Sequence, residues 1–199
     1  MKETILQKAS EMFLTLGYKS VTMDDIATEM GISKKTIYQH YANKNELVEA
    51  STVYLFEKIS AGIDEICSIG LNSIEEIFTI RNYMMKNLHD ETTAPLFQLQ
   101  KFFPQIFSVL RSRQFTKMHG CMMENIARGV KDGLFRGDID IEFVTRIYFT
   151  GLSGLKDNDI FPTAMFEPNK VTKQFIEYHL RAISTEKGME ILKNALEKY

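Results

Sequence analysis

Between Ser33 and Asn45 the chain carries Lys34, Lys35, Thr36, Gln39, His40 and Lys44 and not one aspartate or glutamate. Ammonium groups attract polyanions and hydroxyls bond phosphate oxygens, while a glutamine amide offers the donor and acceptor pair that matches an adenine edge. Spacing divides the same stretch into two sides. Ile37 and Tyr41 recur one helical turn apart, and Lys34, Lys35, Thr36, Gln39 and His40 avoid their positions. The expected chemistry is recognition of a nucleic-acid duplex, with an apolar side to hold a short helix and a cationic side to meet a groove.

Catalytic chemistry finds no such support. Gly151-Leu152-Ser153-Gly154-Leu155 lacks the last glycine of a nucleophile elbow, and His89-Asp90-Glu91 does not make a zinc-protease helix. Asp138, Asp140 and Glu142 alternate like calcium ligands, but Phe143 stands where such a loop needs glycine. No phosphate-binding glycine loop is present. Cys67 and Cys121 lie far apart with no Cys-x-x-Cys pair and no histidine at ligand spacing, so both are taken as small buried apolar residues. No catalytic residue, metal or cofactor is expected, and the chain is not expected to be an enzyme.

The elements that must position the cationic stretch follow from helical periodicity, which dominates the chain. Ile5, Leu6, Ala9, Met12, Phe13 and Leu16 put one apolar face on a first helix from Lys2 to Leu16, stopped by Gly17. Thr22 with Asp25 has capping-box spacing before a second, short helix that closes at Gly31, and its acids Asp24, Asp25 and Glu29 precede the basic segment. Ser33 caps a third helix of about eight residues, and Asn43 starts a fourth that carries Leu47, Val48, Tyr54 and Ile59. Further helices are expected over 74–88, 94–102, 104–131, 141–155, 169–183 and 186–198, with Pro104 at a first turn and Pro162 and Pro168 bracketing a loop. The fold class expected is all-α, with a helix-turn-helix domain at 1–50 and a larger helical domain at 51–199.

Composition sets the limits. With 199 residues, 44% hydrophobic and 25% charged, the chain has enough material for a folded core. The formal net charge of -2 gives no global attraction to polyanions, so contact with DNA must come from a local patch. No uninterrupted apolar stretch of membrane-spanning length occurs and the start is amphipathic, which leads to the expectation of a cytoplasmic protein without membrane contact.

The run Ile26-Ala27-x-x-Met30-Gly31-Ile32-Ser33-x-x-Thr36-Ile37-Tyr38-x-His40-Tyr41-x-Asn43-Lys44-x-x-Leu47, with Gly17 and Tyr18 before the Thr22 cap, resembles the DNA-binding signature of the TetR family of transcriptional regulators. The resemblance covers about the first quarter of the chain. It implies that the third helix enters the major groove, with Lys34, Lys35 and Gln39 at the variable base-reading positions. Thr36, Tyr38, His40 and Lys44 would then serve phosphate contact, and Thr22 caps its helix whether or not its hydroxyl also touches DNA.

The resemblance implies more for the larger domain: a cavity for a small apolar or amphipathic ligand, and a dimer seam formed by the helices after the Gly129–Asp140 turn. Among its many Phe and Met residues, Met84, Phe103, Phe107, Met118 and Met122 are the expected lining, although each is also an ordinary core residue. Phe143, Ile147, Tyr148, Gly151 and Leu155, with Phe175, Tyr178 and Ile183, are the expected homodimer seam, intramolecular packing being the alternative. The function so implied is a ligand-responsive repressor acting as a homodimer on a palindromic operator in double-stranded DNA. Two alternatives stay open: an architectural DNA-binding protein without a ligand, and a small-molecule carrier that does not act on DNA.

Overall fold

The computed structural model describes residues 1–88 and 93–199. His89-Asp90-Glu91 lies outside them. Among the described residues ten helices follow one another: α1 (Lys2–Leu16), α2 (Met23–Met30), α3 (Lys34–Tyr38), α4 (Lys44–Ser68), α5 (Ser73–Asn87), α6 (Thr93–Phe102), α7 (Pro104–Lys131), α8 (Ile141–Gly154), α9 (Pro168–Ile183) and α10 (Glu186–Lys198). Among the described residues the β-structure is a single antiparallel bridge, Phe135 to Ser184. The chain is all-α, as its periodicity requires.

Two compact units divide the chain, and the division falls inside α4, between Ser60 and Ala61, and inside α7, between Gln114 and Phe115. The first unit therefore holds α1–α3, the first part of α4, α6 and the first part of α7. Packing thus extends it past residue 50: Leu99 is buried in the same cluster as Ile5, Phe13, Ile26, Ile37, Tyr41, Leu47 and Val48, while Phe103, Ile106 and Phe107 pack against its edge. Phe13 and Tyr18 stack with ring centroids 5.2 Å apart, which ties the end of α1 to the loop before α2.

The second unit is built around Ile74, Phe78, Met122, Ile126, Phe135, Tyr148, Ile176, Leu180 and Leu192. One carboxylate is buried with them. Glu76 accepts hydrogen bonds from Asn125 Nδ2 at 2.7 Å and from Arg128 Nη2 at 2.6 Å, so its charge is paired inside the fold and fixes α5 on α7. The chain end is docked by main-chain bonds: Arg136 donates to Ile183 O at 2.8 Å and Thr185 N to Leu134 O at 3.0 Å. No described helix is long and apolar enough to cross a membrane.

Candidate nucleic-acid interface

The basic segment is placed by two caps and one turn. Thr22 Oγ1 accepts from Asp25 N at 3.1 Å while Asp25 Oδ2 accepts from Thr22 N at 2.8 Å, the reciprocal pair that starts α2. These bonds to Thr22 hold the Asp25 carboxyl below its ordinary pKa. Gly31 ends α2 at φ 66 and ψ 28, the left-handed conformation that lets the chain reverse without a Cβ penalty. Ser33 then caps α3, accepting from Thr36 N at 3.1 Å. Helix α3 spans Lys34–Tyr38, shorter than the eight residues its sequence suggests, yet helical bonding continues as Gln39 N donates to Lys35 O and Tyr41 N to Ile37 O. The last turn loosens because Ala42 and Asn43 must start α4, where Glu46 Oε2 accepts from Ala42 N and Asn43 Oδ1 from Glu46 N.

Ile37 and Tyr41 are buried, so the inward side of the segment is clamped by the first unit's core. Lys34, Lys35, Tyr38 and Gln39 are exposed, as is Thr22, and Thr36, His40 and Lys44 are half-buried. The expected outward side is therefore accessible as a connected surface of cationic and polar groups. Two of its lysines have partners invisible in the sequence. Lys34 Nζ lies 2.6 Å from Asp24 Oδ2 on α2, a bond that raises the ammonium's pKa, and 6.0 Å from the Tyr38 ring centroid. Lys44 Nζ donates to Lys19 O at 2.9 Å, and its burial lowers its pKa while the Asp25 charge opposes that shift.

The expected ligand-lining residues belong to both units. Phe103 and Phe107 pack on the first unit's core, whereas Met118 and Met122 pack in the second unit's core and Met84 is half-buried on α5. A crevice of about 40 Å³ in the first unit is lined by residues of α4 and α7, including Thr52, Phe56, Ile106 and Arg113, and by none of the five. Its volume is far below the roughly 300–1,000 Å³ of a small-molecule site.

The expected dimer residues also separate. Phe143, Ile147 and Tyr178 are exposed, at 61%, 44% and 73%. Tyr148 and Ile183 are not surface residues: both are buried in the second unit's core, where the Tyr148 ring lies 5.0 Å from His179 and 5.8 Å from Phe175. Gly151 serves the same internal contact, since a Cβ there would sit 2.2 Å from the Phe175 ring. Tyr148, Gly151 and Phe175 thus meet where α8 packs on α9, and Ile183 is buried in the same core. Leu155 is half-buried.

Sequence spacing also missed the proximity of Cys67 on α4 and Cys121 on α7, free thiols near enough for each to bear on the other's ionisation. Burial pushes the Cys67 thiol up to about 11 and raises that of Cys121, so both stay protonated at neutral pH.

Residues 5–51 match the family model described as bacterial regulatory proteins, tetR family. The HTH-type transcriptional repressor KstR2 of Mycolicibacterium smegmatis is 23% identical over 193 residues, covering 94% of this chain and 92% of that protein. Among solved structures, the fold resembles the ketosteroid transcriptional regulator KstR2 of Mycobacterium tuberculosis, with a TM-score of 0.60 and 20% identity over 93% of this chain and 95% of that one. A transcriptional regulator from Cytophaga hutchinsonii superposes with a TM-score of 0.74 at 18% identity, covering 92% of this chain and 98% of the other. At such identities the structural likeness concerns the fold.

Proposed function

We infer that this chain, a member of the tetR family of bacterial regulatory proteins, is a sequence-specific DNA-binding transcriptional regulator, and we propose that it acts as a ligand-responsive homodimeric repressor. The observation that carries the reading is the acid-free segment from Ser33 to Asn45, held by Ile37 and Tyr41 with Lys35, Tyr38 and Gln39 outward. In this reading α3 enters the major groove, Lys34, Lys35 and Gln39 face base edges, and Thr22, Thr36, Tyr38, His40 and Lys44 meet the sugar-phosphate backbone. Lys34 must exchange its bond to Asp24 for the groove, which makes Lys35 and Gln39 the readier base contacts.

One short helix meets few base pairs, so two heads about 34 Å apart are needed to reach successive major grooves. The exposed Phe143, Ile147 and Tyr178 supply an apolar surface for that pairing. A small apolar or amphipathic ligand would release the operator by favouring a head spacing that fits the grooves poorly, through its differential affinity for the two states. As a reader of bacterial operators the protein works in the cytoplasm.

Selection from random duplexes tests the reading: enrichment of a short inverted repeat is expected. Broad enrichment would instead indicate an architectural protein, and none a carrier. Within the enriched site, Gln39→Ala should change base preference at one position in each half, with discrimination falling by about 1–3 kcal/mol. An unchanged preferred site would remove Gln39 from the readout.

A further inference from the structure

We propose that Lys19 and Lys101 form a second phosphate clamp beside α2 and α4, extending contact with the sugar-phosphate backbone beyond the helix-turn-helix. The proposal rests on the DNA-binding reading above and concerns the loop between α1 and α2. Lys19 precedes the Thr22 cap by three residues, and its main chain is fastened from both sides. Lys19 N donates to Gln98 Oε1 of α6 at 2.8 Å, and Lys19 O accepts from Lys44 Nζ at 2.9 Å. Where Lys44 meets a phosphate, Lys19 is therefore its immediate neighbour. Lys44 commits one of its three ammonium hydrogens to that carbonyl and is half-buried, whereas Lys19 and Lys101 are exposed.

The two side chains are positioned by one ring. Phe102 at the end of α6 has its centroid 4.4 Å from Lys19 Nζ and 5.7 Å from Lys101 Nζ, and Lys101 also lies 5.7 Å from the Phe97 ring. Phe97 and Phe102 are themselves exposed, so lysine stems and cation–π contacts cover part of their apolar surface. Both cations meet the Phe102 ring, and among the described residues no carboxylate pairs with either. Backbone phosphates that meet these two unpaired cations are held at little ordering cost, because the ring has already restricted the two side chains. A duplex supplies such anions regardless of sequence.

The test uses full-length protein and a pool of random-sequence duplexes, with binding followed by fluorescence anisotropy over a salt series. Each phosphate contact contributes about 0.9 to the slope of log affinity against log salt. Lys19→Ala with Lys101→Ala should lower that slope by nearly two such steps and weaken binding at low salt by about tenfold or more, with the selected operator sequence unchanged. The double arginine variant should keep the slope. Thermal unfolding should show the alanine variant still folded, losing only the contacts of the two stems with the exposed Phe97 and Phe102 rings. An unaltered slope in the alanine variant, while Lys35→Ala reduces it, overturns the clamp and leaves the regulator reading standing. Absence of duplex binding by the parent protein overturns both.

Discussion

His179 is the most exacting side chain in the second unit. It is 5% exposed, its ring lies 5.0 Å from Tyr148 and 6.0 Å from Phe175, and its Nε2 has no hydrogen-bond partner among the described residues. Burial pulls its pKa down to about 4. The unfolded chain, with an ordinary imidazole near 6.5, protonates first as the pH falls. The folded state is therefore fully favoured above that value and loses stability through the window from about 6.5 to about 4. Between pH 7 and pH 5 the loss from this one residue should be on the order of 2 kcal/mol. Urea unfolding of the parent and of His179→Gln at the two pH values checks it. An equal fall in both proteins would show that other groups carry the acid sensitivity. The single residues of the interface behave differently: their roles depend on partners such as Asp24 for Lys34 and Lys19 O for Lys44.

Placement of α3 depends on the three-residue turn Gly31-Ile32-Ser33 more than on any contact made by the helix's outer side. At φ 66 a residue with a Cβ is strained, although nothing stands within 4 Å of the position that Cβ would take. The cost of Gly31→Ala is therefore a backbone cost, about 1–2 kcal/mol, whereas Gly31→Asn should cost distinctly less because asparagine tolerates this conformation. Thermal unfolding of the two variants separates a backbone cause from a packing one. If alanine and asparagine destabilise equally, the left-handed turn is not what the position requires. Helix α6 illustrates the complementary case, where Leu99 is fully buried in the first unit's core and Gln98 bonds the α1–α2 loop. An element expected from its sequence to belong with the larger domain packs instead with the head.

At the scale of the molecule, the proposed dimer needs a surface that one chain leaves uncovered. Phe143 and Ile147 stand one turn apart on α8 and Tyr178 stands on α9, each exposed, while Tyr148 and Ile183 from the same expected seam fill the core. Phe143→Asp with Tyr178→Asp should leave the core intact and place charges in the interface. Sedimentation is expected to show the monomer in place of the dimer. Operator affinity should fall on the order of a hundredfold as the linkage between half-sites is lost. A double variant that still sediments as a dimer would move the interface elsewhere on the surface.

Helix positions, the capping box at Thr22, the turn at Gly31 and the inward pair Ile37 and Tyr41 were legible in the sequence, because periodicity and cap chemistry act over three or four residues. The all-α class and the cationic outer side of α3 follow from those local rules. Only tertiary packing decided that Cys67 lies near Cys121, that Lys44 bonds Lys19 O, and that Phe103 and Met118 pack on different cores. It also decided which aromatic residues of α8 and α9 face inward. Apolar residues carry the same local signal whether they meet their own chain, a ligand or a second copy, so their partners are fixed by long-range contacts that no short window of sequence contains.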